Sequence, residues 1–190
     1  GGGPPKVTEV NVIDDERVLL TGADGHIGIW SLKDGRLLTD FTGVVRYVWD
    51  SQYSPEHDRL FLSNRKGGKD GRLGAVLDLK TGRTSVVNDA HQAFGLAMAP
   101  DGKRWVINHD GRGTVVADEA GQILREIPIA SPPGVSASWS SDGRLLVTSD
   151  WSGEYQIWTT HDWKSIASWS DGSITSNVIW APDRRVLYVV

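Results

Sequence analysis

An all-β repeat fold, made of copies of one small antiparallel sheet, is what the sequence predicts, and three features lead there. The repeating unit is clearest in GVSASWSSDGRLLVTSDWSGEYQIW, Gly134 to Trp158, and its pattern returns in AFGLAMAPDGKRWVIN (Ala93 to Asn108) and ITSNVIWAPDRRVLYVV (Ile174 to Val190). Looser copies lie at Val7 to Thr21 and Val48 to Ser63. Turn signals such as Asp24-Gly25, Asp34-Gly35 and Asp142-Gly143 separate the apolar runs, and Asp-Gly is a strong hairpin signal. Within the runs apolar and polar residues alternate with a period of two, the pattern of strands with one covered face. Nothing in the chain has helical periodicity.

Taken in order, residues 1–6 open with Gly1-Gly2-Gly3-Pro4-Pro5, which has no apolar pattern and reads as a linker or junction. The first unit, 7–43, holds the strands VTEVNVI, RVLLTG, HIGIWSL and RLLTDF, joined by short turns. The second, 44–90, carries the one long insertion, whose cations Arg65, Lys66, Lys69 and Arg72 and whose glycines suggest an exposed hairpin tip. Its third strand ends at Lys80-Thr81-Gly82, the counterpart of Lys33-Asp34-Gly35. In the third unit, 91–131, and the fourth, 132–172, Glu119-Ala120-Gly121 and His161-Asp162-Trp163 fill that slot. The fifth, 173–190, reaches two strands. That break is expected to make the chain a segment of a larger six- to eight-bladed ring; self-association of two copies would be the other way to close it.

The turn after each first strand falls at Asp14, Pro55, Pro100, Ser141 and Pro182, at intervals of 41, 45, 41 and 41 residues. Spacing of roughly 40 to 45 residues is that of a four-stranded propeller blade. The expected architecture is therefore a partial β-propeller of four-stranded antiparallel blades, four complete and two strands of a fifth. One face of the first strands presents Val10, Ser51, Leu96, Ala137 and Val178, followed by Val12, Tyr53, Met98, Trp139 and Trp180. These are nearly all apolar and should pack on a neighbouring blade. The other face holds Glu9, Asp50, Gly95, Ser136 and Asn177, then Asn11, Gln52, Ala97, Ser138 and Ile179, mostly small or polar, as expected beside a central channel.

The runs WSSDGRLLVTSDWSGEYQIW and LLTGADGHIGIW resemble the WD-repeat β-propeller family, and the resemblance spans Val7 to Val190. Trp30 and Trp158 fill the family's Trp position, with Ser31 and Thr159 in place of its Asp; His91 falls near the place of its Gly-His pair. Asp24 matches the turn Asp of its hydrogen-bonded tetrad, with Thr21 and Trp30 as partners. APDGKRWVIN and SPEHDRLFLSNRKGG also look like repeats of Tol-system and peptidase propellers. The resemblance implies a scaffold that binds protein or peptide on the rim of its channel. Glu9, Asp50, Ser136 and Asn177 of the inner column, with Trp49 and Phe94 just before it, are the residues expected near that rim.

Composition narrows the remaining classes. A net charge of −4 gives no electrostatic reason to bind nucleic acid. Without Cys there are neither disulfides nor thiolate metal sites. No apolar run nears the roughly 20 residues of a membrane span, and no signal peptide opens the chain, so the expectation is a soluble, cytoplasmic protein without membrane contact. Twenty-two glycines fit many turns, and nine tryptophans fit large rings packed between sheets.

Constellations that carry chemistry are thin. His26, His57, His91, His109 and His161 are isolated in sequence, none at zinc-site spacing, and most read as solvated loop residues. His109-Asp110 reads as a turn, and Ser149-Asp150 and Ser170-Asp171 lie in no nucleophile elbow. No catalytic, metal or cofactor residues are therefore expected. Trp151, Trp163 and Trp169, at or near turns, are candidates for interface anchors, Trp151 foremost. The leading expectation is a non-catalytic scaffold for a protein or peptide. The alternatives are the propeller portion of a larger enzyme, gating a peptidase or carrying a redox cofactor, and a purely structural segment.

Overall fold

The computed structural model describes residues 7–65, 71–89, 91–111, 113–128, 134–172, 178–181 and 187–189. They form five antiparallel sheets, the blades of a partial β-propeller, and no helix occurs among them. The first blade is β1 (Val7–Val12), β2 (Arg17–Gly22), β3 (Ile27–Ser31) and β4 (Leu37–Asp40), paired in chain order. The second is β5 (Val48–Ser54), β6 (Arg59–Asn64), β7 (Arg72–Asp78) and β8 (Thr84–Asn88). The third is β9 (Ala93–Met98), β10 (Arg104–His109), β11 (Gly113–Asp118) and β12 (Ile123–Pro128). The fourth is β13 (Gly134–Trp139), β14 (Leu145–Asp150), β15 (Glu154–Thr159) and β16 (Ser165–Ser170). A fifth sheet pairs β17 (Val178–Trp180) with β18 (Leu187–Val189).

Each seam between consecutive blades has its own core, because the alternating strands give every blade two apolar faces. Leu19, Ile27 and Ile29 of the first blade pack with Leu60, Leu62, Ala75 and Leu77 of the second. The opposite face of the second blade, with Phe61, Leu73 and Val76, meets Leu96, Trp105 and Ile107 of the third. Val106, Val116 and Ile127 then join Trp139, Leu146 and Trp158, and Val147 and Tyr155 join Val178 and Trp180. The second seam is built around Trp105, fully buried, set edge-on to Phe61 at 5.5 Å and bonded through Nε1 to the Asp118 carbonyl at 3.0 Å. Gly74 makes room for it, since a Cβ there would lie 2.7 Å from the Trp105 ring and 2.6 Å from the Leu62 carbonyl oxygen.

The apolar first-strand column packs as expected in the later blades, where Leu96, Trp139, Val178 and Trp180 are buried. In the first blade the equivalent Val10 and Val12 are 62% and 67% exposed. This face looks away from the second blade, and no other described residue covers it. The outward face of the fifth sheet is open too, at Ile179 and Tyr188.

The slot after each third strand needs a left-handed residue, and Gly35, Gly82 and Gly121 supply it with φ of 68°, 69° and 82°. Trp163 takes the same seat in the fourth blade at φ 56°. Its ring packs edge-on to Trp139 at 6.2 Å, so seam packing offsets the backbone cost. Trp169 stacks on Tyr155 at 5.0 Å. Both of these candidate anchors, each part-buried, pack on rings of their own blade, Trp163 from the turn before β16 and Trp169 from within that strand.

Replacing Trp139 by Ala should cost about 3–5 kcal/mol, since a large buried ring is lost with its indole hydrogen bond. Gly74→Ala should cost about 1–3 kcal/mol by overpacking, both read from the urea midpoint at constant m-value. A loss within error for both variants would mean that this register of the seams is wrong.

Candidate binding rim

The polar column of the first strands is occupied in a way its alternation does not reveal. Asp50 Oδ2 accepts from the Leu96 backbone N–H at 3.1 Å, and Gln52 Oε1 from that of Met98 at 2.7 Å. Two seams later the pattern repeats: Ser136 Oγ accepts from Val178 N–H at 3.3 Å and Ser138 Oγ from Trp180 N–H at 3.1 Å. In each case a column side chain reaches the next blade's strand one residue beyond its own column. Between the first two blades the same offset brings Glu9 to Ser51, whose hydroxyl donates to Glu9 Oε2 and lies 3.1 Å from Thr21 Oγ1. Gly95 and Ala97 have no acceptor side chain, and there Trp139 Nε1 donates to the Ala97 carbonyl at 3.0 Å instead. A column expected to meet water is largely a set of inter-blade ties. Asn177 lies outside the described residues.

Burial acts on these carboxyls. Asp50 is pushed up from the ordinary Asp value by desolvation, opposed by the N–H groups of Leu96 and Ser51. Glu9 is raised by desolvation as well, with the Ser51 hydroxyl lowering it and the Asp50 charge adding to the rise.

In a four-stranded meander the connection entering the first strand and the hairpin between the second and third fall at the same end of the sheet. That rim gathers Thr8, Trp49, Arg65, Phe94 and Trp151, along with His91 and His109 of the third blade. Trp49 is 42% exposed, yet it is fixed: its Nε1 donates to the Phe94 carbonyl at 2.7 Å, and its ring meets Phe94 edge-on at 6.3 Å. The Arg65 guanidinium lies 4.2 Å over the same ring, a cation–π contact. Thr8, Ala23, Tyr47, Val48, Trp49 and Arg65 line a cleft of about 380 Å³. Trp151, also 42% exposed, sits on the β14–β15 hairpin of this rim.

The expected solvated basic tip divides. Arg65 belongs to the Trp49 cleft, whereas Arg72 donates to the Val44 carbonyl at 2.9 Å and braces the second blade. Lys66 and Lys69 lie outside the described residues. The expected Asp24–Thr21–Trp30 tetrad is not formed: Asp24 contacts His26 Nδ1 at 3.0 Å within its own turn, and Thr21 reaches across to Ser51. Asp150 caps its hairpin by accepting from Ser152 and Glu154, as a turn residue would.

The histidines need a correction. His91, before β9, and His109, at the end of β10, are far apart in sequence, but the strand pairing brings their rings to 4.8 Å at an interplanar angle of 37°. His109 is fully buried rather than solvated. Burial, and then the neighbouring His91, lower its pKa from the ordinary histidine value. Together with Asp110 they present ligand atoms all within 4.8 Å of one another. The signal was absent from linear spacing because the two histidines sit on a connection and a strand end, joined by sheet register alone.

Asp50→Ala should cost about 1–3 kcal/mol by leaving the Leu96 N–H without its acceptor, whereas Asp50→Asn, which keeps an oxygen, should cost well under that. Equal losses in urea denaturation would place the role elsewhere. A carboxyl raised in the folded state binds more protons folded than unfolded, so its contribution to stability falls as pH rises through the window above the unfolded values of 4.5 for Glu9 and 3.8 for Asp50. A Glu9→Gln, Asp50→Asn double variant should therefore lose less stability than the parent between pH 4 and pH 7, read as the difference of two melting curves. Parallel curves would contradict the burial of these groups.

No protein-family model matches the chain, and no curated protein matches it.

Proposed function

We propose that the chain is a non-catalytic propeller scaffold that binds a protein or peptide segment on its rim, with the Trp49 cleft as the anchoring point. Trp49 is the observation that carries this reading: a half-exposed indole held rigidly by Phe94 and faced by Arg65. An aromatic group already fixed in the free protein loses little conformational freedom on binding. Trp, Tyr and Arg are also the types that dominate interface energetics, and all three line this cleft. The use of the inner column for inter-blade ties favours the rim over the channel as the place of recognition. The resemblance to WD repeats agrees with a rim-binding scaffold.

Panning a displayed peptide library on the chain tests this. The enriched peptides should bind Trp49→Ala and Arg65→Ala at least tenfold more weakly, with melting temperatures near that of the parent. An unenriched library, or peptides that bind Trp49→Ala as tightly as the parent, would sink the proposal.

A second reading rests on the two open faces. Val10, Val12 and Leu37 at one end and Ile179 and Tyr188 at the other are exposed, and they correspond to the two halves of the seam that the interior blades bury. Such faces suit docking of a further blade, here supplied by a second copy of this chain. Light scattering on eluting protein should give a mass above one chain that Val10→Glu with Val12→Glu lowers. A single-chain mass at all concentrations would reject this assembly and leave the rim reading untouched.

A further inference from the structure

We propose that His91, His109 and Asp110 form a binding site for a divalent transition-metal ion of the zinc type, oriented by Asp89. The donor set is two imidazoles and one carboxylate, the chemistry that zinc and its borderline neighbours take. The three ligand atoms lie within 4.8 Å of one another. A tetrahedral ion with bonds of about 2.0–2.1 Å sets its donors about 3.3 Å apart. Asp110 is exposed and His91 part-exposed, which leaves these two side chains room to close that difference around the buried His109.

Three further features make this more than a meeting of polar groups. Asp89 accepts from His91 Nδ1 and also from the His91 backbone N–H at 3.0 Å, fixing the ring so that Nε2 is the nitrogen left to ligate. A carboxylate behind a ligating imidazole is the usual outer-shell arrangement at such metals, where it sets the tautomer and raises ligand basicity. Gly111 lies beneath that nitrogen: a Cβ there would come within 1.9 Å of His91 Nε2, so the ring's position depends on glycine. The charge also balances, since Asp89 and Asp110 together offset a dication beside two neutral imidazoles. Asp110 is held in place by the Gln92 N–H, which donates to its Oδ1 at 3.0 Å, and the Gly111 N–H donates to His109 Nδ1 at 3.3 Å. With three protein ligands, the fourth position falls to water or to a side chain of a partner on the rim.

The test is titration of the chain, free of any affinity tag, with Co²⁺ alone, followed by competition with Zn²⁺. One equivalent should give the visible absorption of a low-symmetry Co²⁺ site that Zn²⁺ abolishes, and Zn²⁺ should raise the melting temperature. His91→Ala and Asp110→Asn, both away from the buried core, should lose the absorption and the thermal shift while keeping the parent's metal-free melting temperature. Asp89→Asn, which bonds only the non-ligating Nδ1 of His91, and Gly111→Ala, whose methyl would displace the His91 ring, should each weaken affinity at least tenfold; His26→Ala, a histidine of the first blade, should change nothing. The proposal is overturned if the parent shows no Co²⁺ absorption, as a purely hydrogen-bonded cluster would, or if His91→Ala and Asp110→Asn bind as the parent does. Because the readout is metal alone, its failure leaves the peptide-binding rim unaffected, and failure of the rim reading leaves the metal site standing.

Discussion

The bond from a first-strand side chain to the backbone of the next blade sets the geometry on which the rest of this molecule depends. Apolar contact between blades is strong but slides easily, because flat sheet faces covered with Val and Leu tolerate many registers. A hydrogen bond from Leu96 N–H to Asp50, or from Trp180 N–H to Ser138, tolerates one. Two such bonds two residues apart, as with Asp50 and Gln52, fix both the height and the tilt of one blade against another. Where the column runs out of acceptors, at Gly95 and Ala97, Trp139 supplies the directional bond from the other side.

Rim geometry follows from those ties. Trp49 belongs to the second blade and its hydrogen-bond acceptor, the Phe94 carbonyl, to the third, so the indole is held across a seam. The Arg65 guanidinium of its own blade then covers one face of the ring. His91 and His109 meet because β9 and β10 pair with a register shift at His109, bringing the connection before β9 against the end of β10. In both places a rigid framework positions side chains carried by loops, the usual division of labour between scaffold and site.

Two departures from the repeat have opposite physical sense. Trp163 stands where three other blades use glycine, and its left-handed backbone is accepted because the indole packs on Trp139. Val10 and Val12 keep the repeat's apolar pattern without a described neighbour to cover it, which leaves an apolar face exposed. The first departs from the pattern and is compensated locally; the second obeys it and is left open.

The sequence by itself determined the strands, their turns, the repeat length and the existence of two-faced blades, because all of these follow from local chemistry: alternation, Asp-Gly turns and spacing. It also pointed to Trp49, Asp50 and Phe94 as a neighbourhood, since Trp49 and Phe94 share one offset from the repeat turn and Asp50 follows Trp49 directly. Only the tertiary structure decided what those residues do. Whether Asp50 meets water or a backbone N–H depends on how closely the next blade approaches, and whether Trp163 is an anchor or a packing ring depends on the face of the sheet it turns toward. The joining of His91 to His109 depends on pairing between strands that no linear spacing reports. Local patterns fix the parts, while contacts between residues 18 to 46 positions apart assign their roles, because those contacts exist only once the strands have paired and the blades have packed.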